Sequence, residues 1–397
     1  MILVSHPTGN EFVRAGLAAF DRAGMLGEFW TTLRWNSRSP INRILPRRVR
    51  AILERRSFSD SIRSRTRTFP FRESVRLLIG AFSVDAVLRH FDRKVAEHLS
   101  KIDNLDSVYA YEDSALQSFR AARERGFKRI YDLPIAYWQT SQRLLGEEAE
   151  RYPDWEPTLG ATRDSDKKLS RKTGELELAQ LVVCPSNFVL ESLPAEARAQ
   201  KQCLVAPFGS PDVDLREGAT KNSGRMRLLF AGSMTQRKGL ADLFAAMKLV
   251  NSKKVELVVM GSLLRPLSWY RKRFADFIYE PPRPHGEVLR LMQSCDVFVL
   301  PSIVEGRALV QQEAMACGLP VIATKNAGAD DVIVEGETGF LVPIRSPETI
   351  AEKINWCAQN RPLLSGMGIA ARRRAAEFTW RAYGESIVAA VRALTCK

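Results

Sequence analysis

Between Cys295 and Pro343 the chain packs two buried strands around a short helix with almost no connecting residues. The run Asp296-Val297-Phe298-Val299-Leu300 stops at Pro301-Ser302, and a helix-forming stretch then ends at Gly318. Pro320-Val321-Ile322-Ala323-Thr324 follows at once. Short apolar runs rich in β-branched and aromatic residues, bounded by Pro and Gly, read as strands buried on both faces of a parallel sheet. The unit is a compact βαβ element, so chemistry is expected beyond the C-terminal end of its first strand.

Glu305 and Glu313, with seven residues between them, occupy that position. A helix starting near Ala308 carries Glu313 roughly 7.5 Å along its axis at 1.5 Å per residue, while Glu305 stays in the preceding loop. The carboxylates therefore bracket a helix N-terminus, where free N–H groups and the positive end of the dipole favour a phosphate. Carboxylates on either side can accept hydrogen bonds from hydroxyls. A ligand that presents hydroxyls, a diphosphate and hydroxyls in that order is a nucleotide-sugar.

Set in Phe298 to Ser302, followed by Glu313-Ala314-Met315-Ala316-Cys317-Gly318-Leu319-Pro320-Val321-Ile322 and continuing through Gly336 to Pro343, the two glutamates resemble the signature of glycosyltransferase family 4. The resemblance implies an α/β chain of two Rossmann-like domains facing a cleft, the GT-B fold, with a C-terminal helix crossing back to the first domain. It also implies a retaining hexosyltransferase of the kind that builds bacterial surface polysaccharide, with no bound metal and no cofactor besides the nucleotide-sugar substrate. Domain bounds expected on this basis are 1–211 for the acceptor side, 212–225 for a linker, 226–379 for the nucleotide-sugar side and 380–397 for the terminal helix.

In the second half, Arg227 to Ala231 reads as a strand, and Gly232-Ser233-Met234-Thr235-Gln236-Arg237-Lys238-Gly239 follows it. Glycines permit a tight turn under a ligand, and Lys238 supplies a point charge for a diphosphate. The family usually has an arginine where this chain has Ser233, so Arg237 is the candidate for the second charge. Glu305, Lys238 and Arg237 form the expected catalytic set. Glu313, Gly232, Gly261, Gly306, Arg307, Ala308, Leu309 and Val310 form the expected donor site, with Glu305 holding hydroxyls of the donor sugar and Glu313 those of the ribose. Arg307 stands where relatives carry an uncharged residue; it grips a phosphate or acidic sugar, or it points to solvent. His285 opens a helix; it lies near the base of the nucleotide, or it is a helix-start residue held by its own backbone.

In the first half, Gly9 lies in the loop after the strand Ile2 to Ser5, where it is either a cleft contact or an ordinary turn. Asp132, at the end of the strand from Lys128, is either an acceptor contact or a turn residue. The family's histidine near this position is missing. Arg163 to Lys172 is polar and of mixed charge, and a helix is expected from Thr173 to Gln180.

The formal net charge of +14 is uneven, with thirteen arginines between Arg34 and Arg76 against Glu54, Asp60 and Glu73. Val49, Ile52 and Leu53 share a helical face with Arg47, Arg48, Arg50 and Arg55 around them, which is the pattern of a basic amphipathic element. It faces anionic lipid, water or nucleic acid. Nucleic acid is the least expected partner, because aromatic residues are not interleaved with the arginines. No apolar run approaches the 18 or so residues of a membrane span. The six cysteines show no metal-like spacing, and Met1 to Ser5 reads as a first strand, so the expected location is cytoplasmic, with peripheral contact at the inner face of the cell membrane. The expected partners are a nucleotide-sugar donor and a saccharide or lipid-linked acceptor. The alternatives are a nucleotide-sugar epimerase of the same fold and a non-catalytic lipid- or nucleic-acid-binding protein. A dehydrogenase would need G-x-G-x-x-G after a strand, which is missing.

Overall fold

The computed structural model describes residues 1–36, 38–160, 163–213, 224–250 and 253–395, apart from the side chains of residues 41, 43, 47, 48 and 51. Most of the expected linker, 214–223, and Cys396 lie outside the described residues. The five described cysteines are free thiols.

Two parallel sheets form the frame. The first comprises β1 Ile2–Ser5, β2 Leu26–Thr31, β3 Thr66–Thr68, β4 Ser107–Tyr111, β5 Lys128–Asp132, β6 Leu181–Cys184 and β7 Gln202–Val205, in the order β3-β2-β1-β4-β5-β6-β7. The second comprises β8 Met226–Ala231, β9 Val255–Met260, β10 Ile278–Glu280, β11 Val297–Leu300, β12 Val321–Thr324 and β13 Gly339–Val342, in the order β10-β9-β8-β11-β12-β13. In each sheet the strand order reverses beside the first strand, β1 or β8, and such switch points open crevices at the carboxyl ends of the strands. The strands β8, β11 and β12 are buried along nearly their whole length, as their largely apolar sequences require.

The helix Trp380–Thr395 returns to the first sheet. Its Tyr383, Ile387, Val391 and Leu394 share a core with Ile2, Val13 and Phe20. Gly384 is needed there, since a Cβ at that position would lie 2.6 Å from the Ala19 side chain.

A second crossing runs the other way. After the helix Trp138–Arg151, the 3-10 turn Pro153–Thr158 carries Trp155 into the core of the second sheet, edge-on to Phe244, Trp269 and Tyr270. Arg151 bonds Asp242 at 2.6 Å, and the buried Glu148 accepts from Gln236 at 2.6 Å and from Arg345. Residues 148–158 are thus covalently in the first half and packed in the second.

The helix Asp166–Leu178 begins seven residues before the expected start, inside the polar stretch. Its charged side chains find carboxylates across the fold: Arg171 pairs with Asp85 and Asp113, and Lys172 with Glu112. The basic stretch 265–277 is helical over Leu267–Arg271.

Candidate active site

Glu305 lies where the two halves meet. The preceding Ile303 and Val304 pack with Ala136, Leu144, Leu145 and Phe188 of the first half, and the Glu305 carbonyl accepts from the Ala136 N–H at 3.2 Å. Gly306 touches the opposite wall so closely that a Cβ would sit 1.8 Å from the Pro134 carbonyl oxygen. Any side chain here would push the halves apart.

Two cations converge on the buried Glu305 carboxylate. Lys238 Nζ lies 2.5 Å and Arg237 Nη1 2.8 Å from Oε1. Burial alone would raise this carboxyl, but the charges of Lys238 and Arg237 outweigh it and hold the group below the usual carboxylate range. The turn that presents the cations is fixed from both sides: Thr235 accepts from the Lys238 N–H at 3.3 Å, and the Gln236 amide donates to Glu148 and Asp242. Gly232 lies under the Lys238 stem, and a Cβ on Gly261 would sit 1.7 Å from the Gly232 carbonyl oxygen.

The helix Leu309–Ala316 starts one residue after Ala308. The Ala308 N–H is occupied, donating to the Ala327 carbonyl at 3.0 Å. Among the hydrogen bonds of the described residues, the N–H groups of Leu309 and Val310 have no protein acceptor, so the open donors are these two. Glu313 is on the same helix, 3.1 Å from His285 Nε2. His285 is therefore engaged by its side chain with Glu313 rather than by its own backbone, and the bond to Glu313 raises its imidazole above the ordinary value.

Three expected site residues lie elsewhere. Arg307 neither points to solvent nor faces the helix N-terminus. Its guanidinium is fully buried, pairs with both Asp331 oxygens at 2.8 Å, donates to Gln312 and stacks over Phe378. Asp132 is 1% exposed beneath the terminal helix, accepting from the Tyr109 hydroxyl at 2.5 Å with Tyr383 alongside; it is neither a turn residue nor at the cleft surface. Burial pushes its carboxyl up to about 7. Gly9 is covered by the Arg55 carbonyl and the Phe58 ring. A cavity of about 680 Å³ lies between the helix Glu11–Arg22 and Trp380 and includes none of Lys238, Arg237 or Glu305.

Gln236, Glu148 and Asp242, which brace the cationic turn, were not foreseeable from spacing. The one available signal was Gln236 itself, an amide next to two cations.

Residues 213–374 match the family Glycosyl transferases group 1. The matched segment contains every residue expected on the donor side. A D-inositol 3-phosphate glycosyltransferase of Arthrobacter sp. is 31% identical over 238 residues, covering 53% of this chain and 56% of that protein. The capsular polysaccharide biosynthesis glycosyltransferase CapM of Staphylococcus aureus is 32% identical over 154 residues, 36% of this chain and 40% of that protein. The chain spans between about a quarter and just over half the length of the curated relatives it matches. Whole-chain likeness comes from solved structures. A sucrose-phosphate synthase from Thermosynechococcus elongatus superposes with a TM-score of 0.68 at 19% identity over 100% of this chain and 99% of that one. Anabaena HepE in complex with UDP and glucose gives 0.63 at 16% identity over 99% of each chain. The fold is GT-B.

Proposed function

We propose that the chain is a retaining, metal-independent glycosyltransferase that moves a hexose-type sugar from a nucleotide-sugar to a saccharide or lipid-linked saccharide acceptor. One observation carries this reading: Lys238 and Arg237 converge on Glu305 beside a helix whose Leu309 and Val310 N–H groups are open and whose next turn carries Glu313. An incoming diphosphate would take over Lys238 and Arg237 and accept from the two N–H groups. Glu305 would then be released to bind hydroxyls of the donor sugar, and Glu313 would hold those of the ribose.

In transfer, the bond between the anomeric carbon and the diphosphate oxygen breaks and the acceptor oxygen bonds that carbon on the same face. The acceptor proton passes to a diphosphate oxygen. Charge that develops on the diphosphate is met by Lys238, Arg237 and the helix N–H groups, so stabilisation is electrostatic and preorganised. The HepE complexes with UDP and UDP-glucose support a nucleotide-sugar in this fold, and the name of CapM, a capsular polysaccharide biosynthesis glycosyltransferase, supports a saccharide acceptor.

A thermal-shift screen against UDP, GDP, ADP and their common sugars tests the reading. One nucleotide should raise the melting temperature of the intact chain, and Glu313→Ala and Lys238→Ala should each reduce the rise. A chain indifferent to all of them would refute the assignment.

The basic segment supports peripheral contact with an anionic bilayer. Phe71, Leu78 and Ile79 on the helix Pro70–Ile79 are 74%, 82% and 74% exposed, and Ile44, Val49 and Ile52 are exposed nearby in sequence. Several arginines of the segment are committed internally: Arg56 and Arg76 to Glu73, Arg65 to Asp21 and Arg34 to Asp60. The side chains of Arg47 and Arg48 lie outside the described residues. Among the described residues no helix is long and apolar enough to cross a membrane. Binding to phosphatidylglycerol vesicles but not to phosphatidylcholine vesicles, reduced in a Phe71→Ser, Leu78→Ser double variant, is the expected result. Equal binding to both would remove the membrane from the proposal.

A further inference from the structure

The helix Trp138–Arg151 belongs by chain order to the first half, yet the segment that carries it touches both loops of the candidate active site. Just before the helix starts, the Ala136 N–H holds the Glu305 carbonyl at 3.2 Å, and the Pro134 carbonyl stands against Gly306. Along its middle, Leu144 and Leu145 pack with Ile303 and Val304. Toward its end Glu148, which is 0% exposed, accepts from the Gln236 amide at 2.6 Å. One element therefore bears on the loop of Glu305 and on the turn of Arg237 and Lys238.

Gln236 is the pivot of that turn. Its two neighbours in sequence toward the helix, Arg237 and Lys238, reach Glu305, whereas its own buried side chain reaches Glu148 and Asp242. Nε2 donates to these two carboxylates at 2.6 and 2.8 Å, Oε1 accepts from the Ala241 N–H at 2.8 Å, and the backbone N–H donates to the Thr158 hydroxyl at 3.2 Å. Both amide hydrogens are committed, so the turn cannot rotate without breaking several bonds together. Two of the four partners, Glu148 and Thr158, come from the first half.

Glu148 is itself held in place. Arg345 donates to it, to Glu147 at 2.7 Å and to the Leu144 carbonyl at 3.1 Å. Arg345 does so from a backbone with φ of 62°, the left-handed region that residues other than glycine seldom adopt. Such strain persists where the surrounding contacts fix it. Apolar packing often joins two surfaces as firmly as a buried ion pair does. What the carboxylate adds is direction: it dictates where the Gln236 amide points, and with it the adjoining Arg237 and Lys238.

We propose that Glu148 is a positioning residue for sugar transfer: acting through Gln236, it fixes the direction from which Lys238 and Arg237 meet the leaving diphosphate. The proposal rests on the glycosyltransferase reading for the diphosphate, and on the hydrogen bonds alone for the bracing. Charges that stabilise a leaving group act best when they are already in place, and here a side chain of the opposite half places them.

The test uses the full chain and two readouts. Carbon-13 NMR follows the Glu305 carboxyl without ligand, because its titration reports the approach of Lys238 and Arg237. Calorimetric titration with UDP, GDP and ADP gives the affinity for a nucleoside diphosphate. In Glu148→Gln the one remaining side-chain oxygen can satisfy Arg345 or Gln236, not both. The Glu305 midpoint should rise, and affinity for the nucleotide that binds the wild type should fall about tenfold, as for one weakened hydrogen bond to a charged group. Gln236→Met leaves Glu148 with Arg345 and Asp242 with Arg151. It should have the same two effects, and it carries the test if Glu148→Gln does not fold. Glu147→Gln is the control, since Glu147 shares Arg345 but among the described residues is not bonded to Gln236; it should match the wild type in both readouts. The proposal is overturned if a folded Glu148→Gln or Gln236→Met keeps the wild-type Glu305 midpoint, or if Glu147→Gln moves the midpoint as far. Nucleotide affinity that survives both variants unchanged leaves the transferase and sinks the positioning. A midpoint that rises in a chain no nucleotide binds leaves the bracing and sinks the transferase.

Discussion

The Lys238 ammonium lies 2.5 Å from a Glu305 carboxylate oxygen, so the residue expected to grip a diphosphate is, without ligand, held by the residue expected to grip a sugar. The two side chains are only about an eighth exposed, and in such a site their attraction is screened far less than at a surface. An anionic ligand is needed to separate them.

Replacing Lys238 should therefore act on charge and not on shape. Lys238→Met should lower kcat about 10²- to 10³-fold, the usual cost of removing one preorganised donor to a developing charge. It should also let the Glu305 carboxyl rise, because the larger of its two compensating charges is gone. Carbon-13 NMR of the Glu305 carboxyl reads the second effect. An unchanged titration would mean that Arg237 alone holds Glu305.

His285 offers a reporter for nucleotide binding. Its raised imidazole depends on Glu313, so the stabilisation from this pair is complete below the unfolded value of 6.5 and disappears as pH rises through the folded value. Proton NMR of the His285 ring should give a midpoint above 6.5, which falls toward 6.5 in Glu313→Gln. Saturating nucleotide should produce the same fall if ribose hydroxyls take Glu313. A midpoint indifferent to both would detach His285 from the site.

Asp132 has the opposite sign. Burial holds its carboxyl at about 7 in the fold, above the ordinary 3.8, so the native state binds the proton more tightly and the group's penalty grows as pH rises from about 4 to about 7. Asp132→Asn keeps an acceptor for the Tyr109 hydroxyl. Its melting temperature should match the wild type at pH 4 and exceed it at pH 8. A constant difference across that range would argue against the shifted carboxyl.

Arg307→Met should destabilise the chain by about 3 kcal/mol, since it leaves Asp331 facing a site built for a cation. Nucleotide affinity per folded molecule should change little. Urea denaturation and calorimetric titration measure the two separately, and a large loss of affinity with stability retained would return Arg307 to the donor site.

How much of this is legible in the chain depends on how far each residue's partner lies. The βαβ unit around Glu305 is local: strand, loop and helix follow one another, and the helix begins at Leu309, one residue from its expected start. The same holds for Lys238, which sits in the turn seven residues after the end of a buried strand. Arg307 is misread because its partner Asp331 lies 24 residues on, beyond the reach of any local pattern. Asp132 is misread because Tyr383 comes from the far end of the chain. The polar run from Arg163 conceals a helix because its charges are satisfied by Asp85, Glu112 and Asp113, on other elements.

Trp155 has a consequence for how this chain can be recombined. The side chain is encoded in the first half and seated among Phe244, Trp269 and Tyr270 of the second. A chimera that joined residues 1–211 to another protein's second half would present an indole to a socket that had not been shaped for it. The reciprocal chimera would leave a socket empty. Exchange between relatives of this chain therefore has to move residues 148–158 together with the sheet they pack on, so the unit of inheritance is not the unit drawn by the chain's own midpoint.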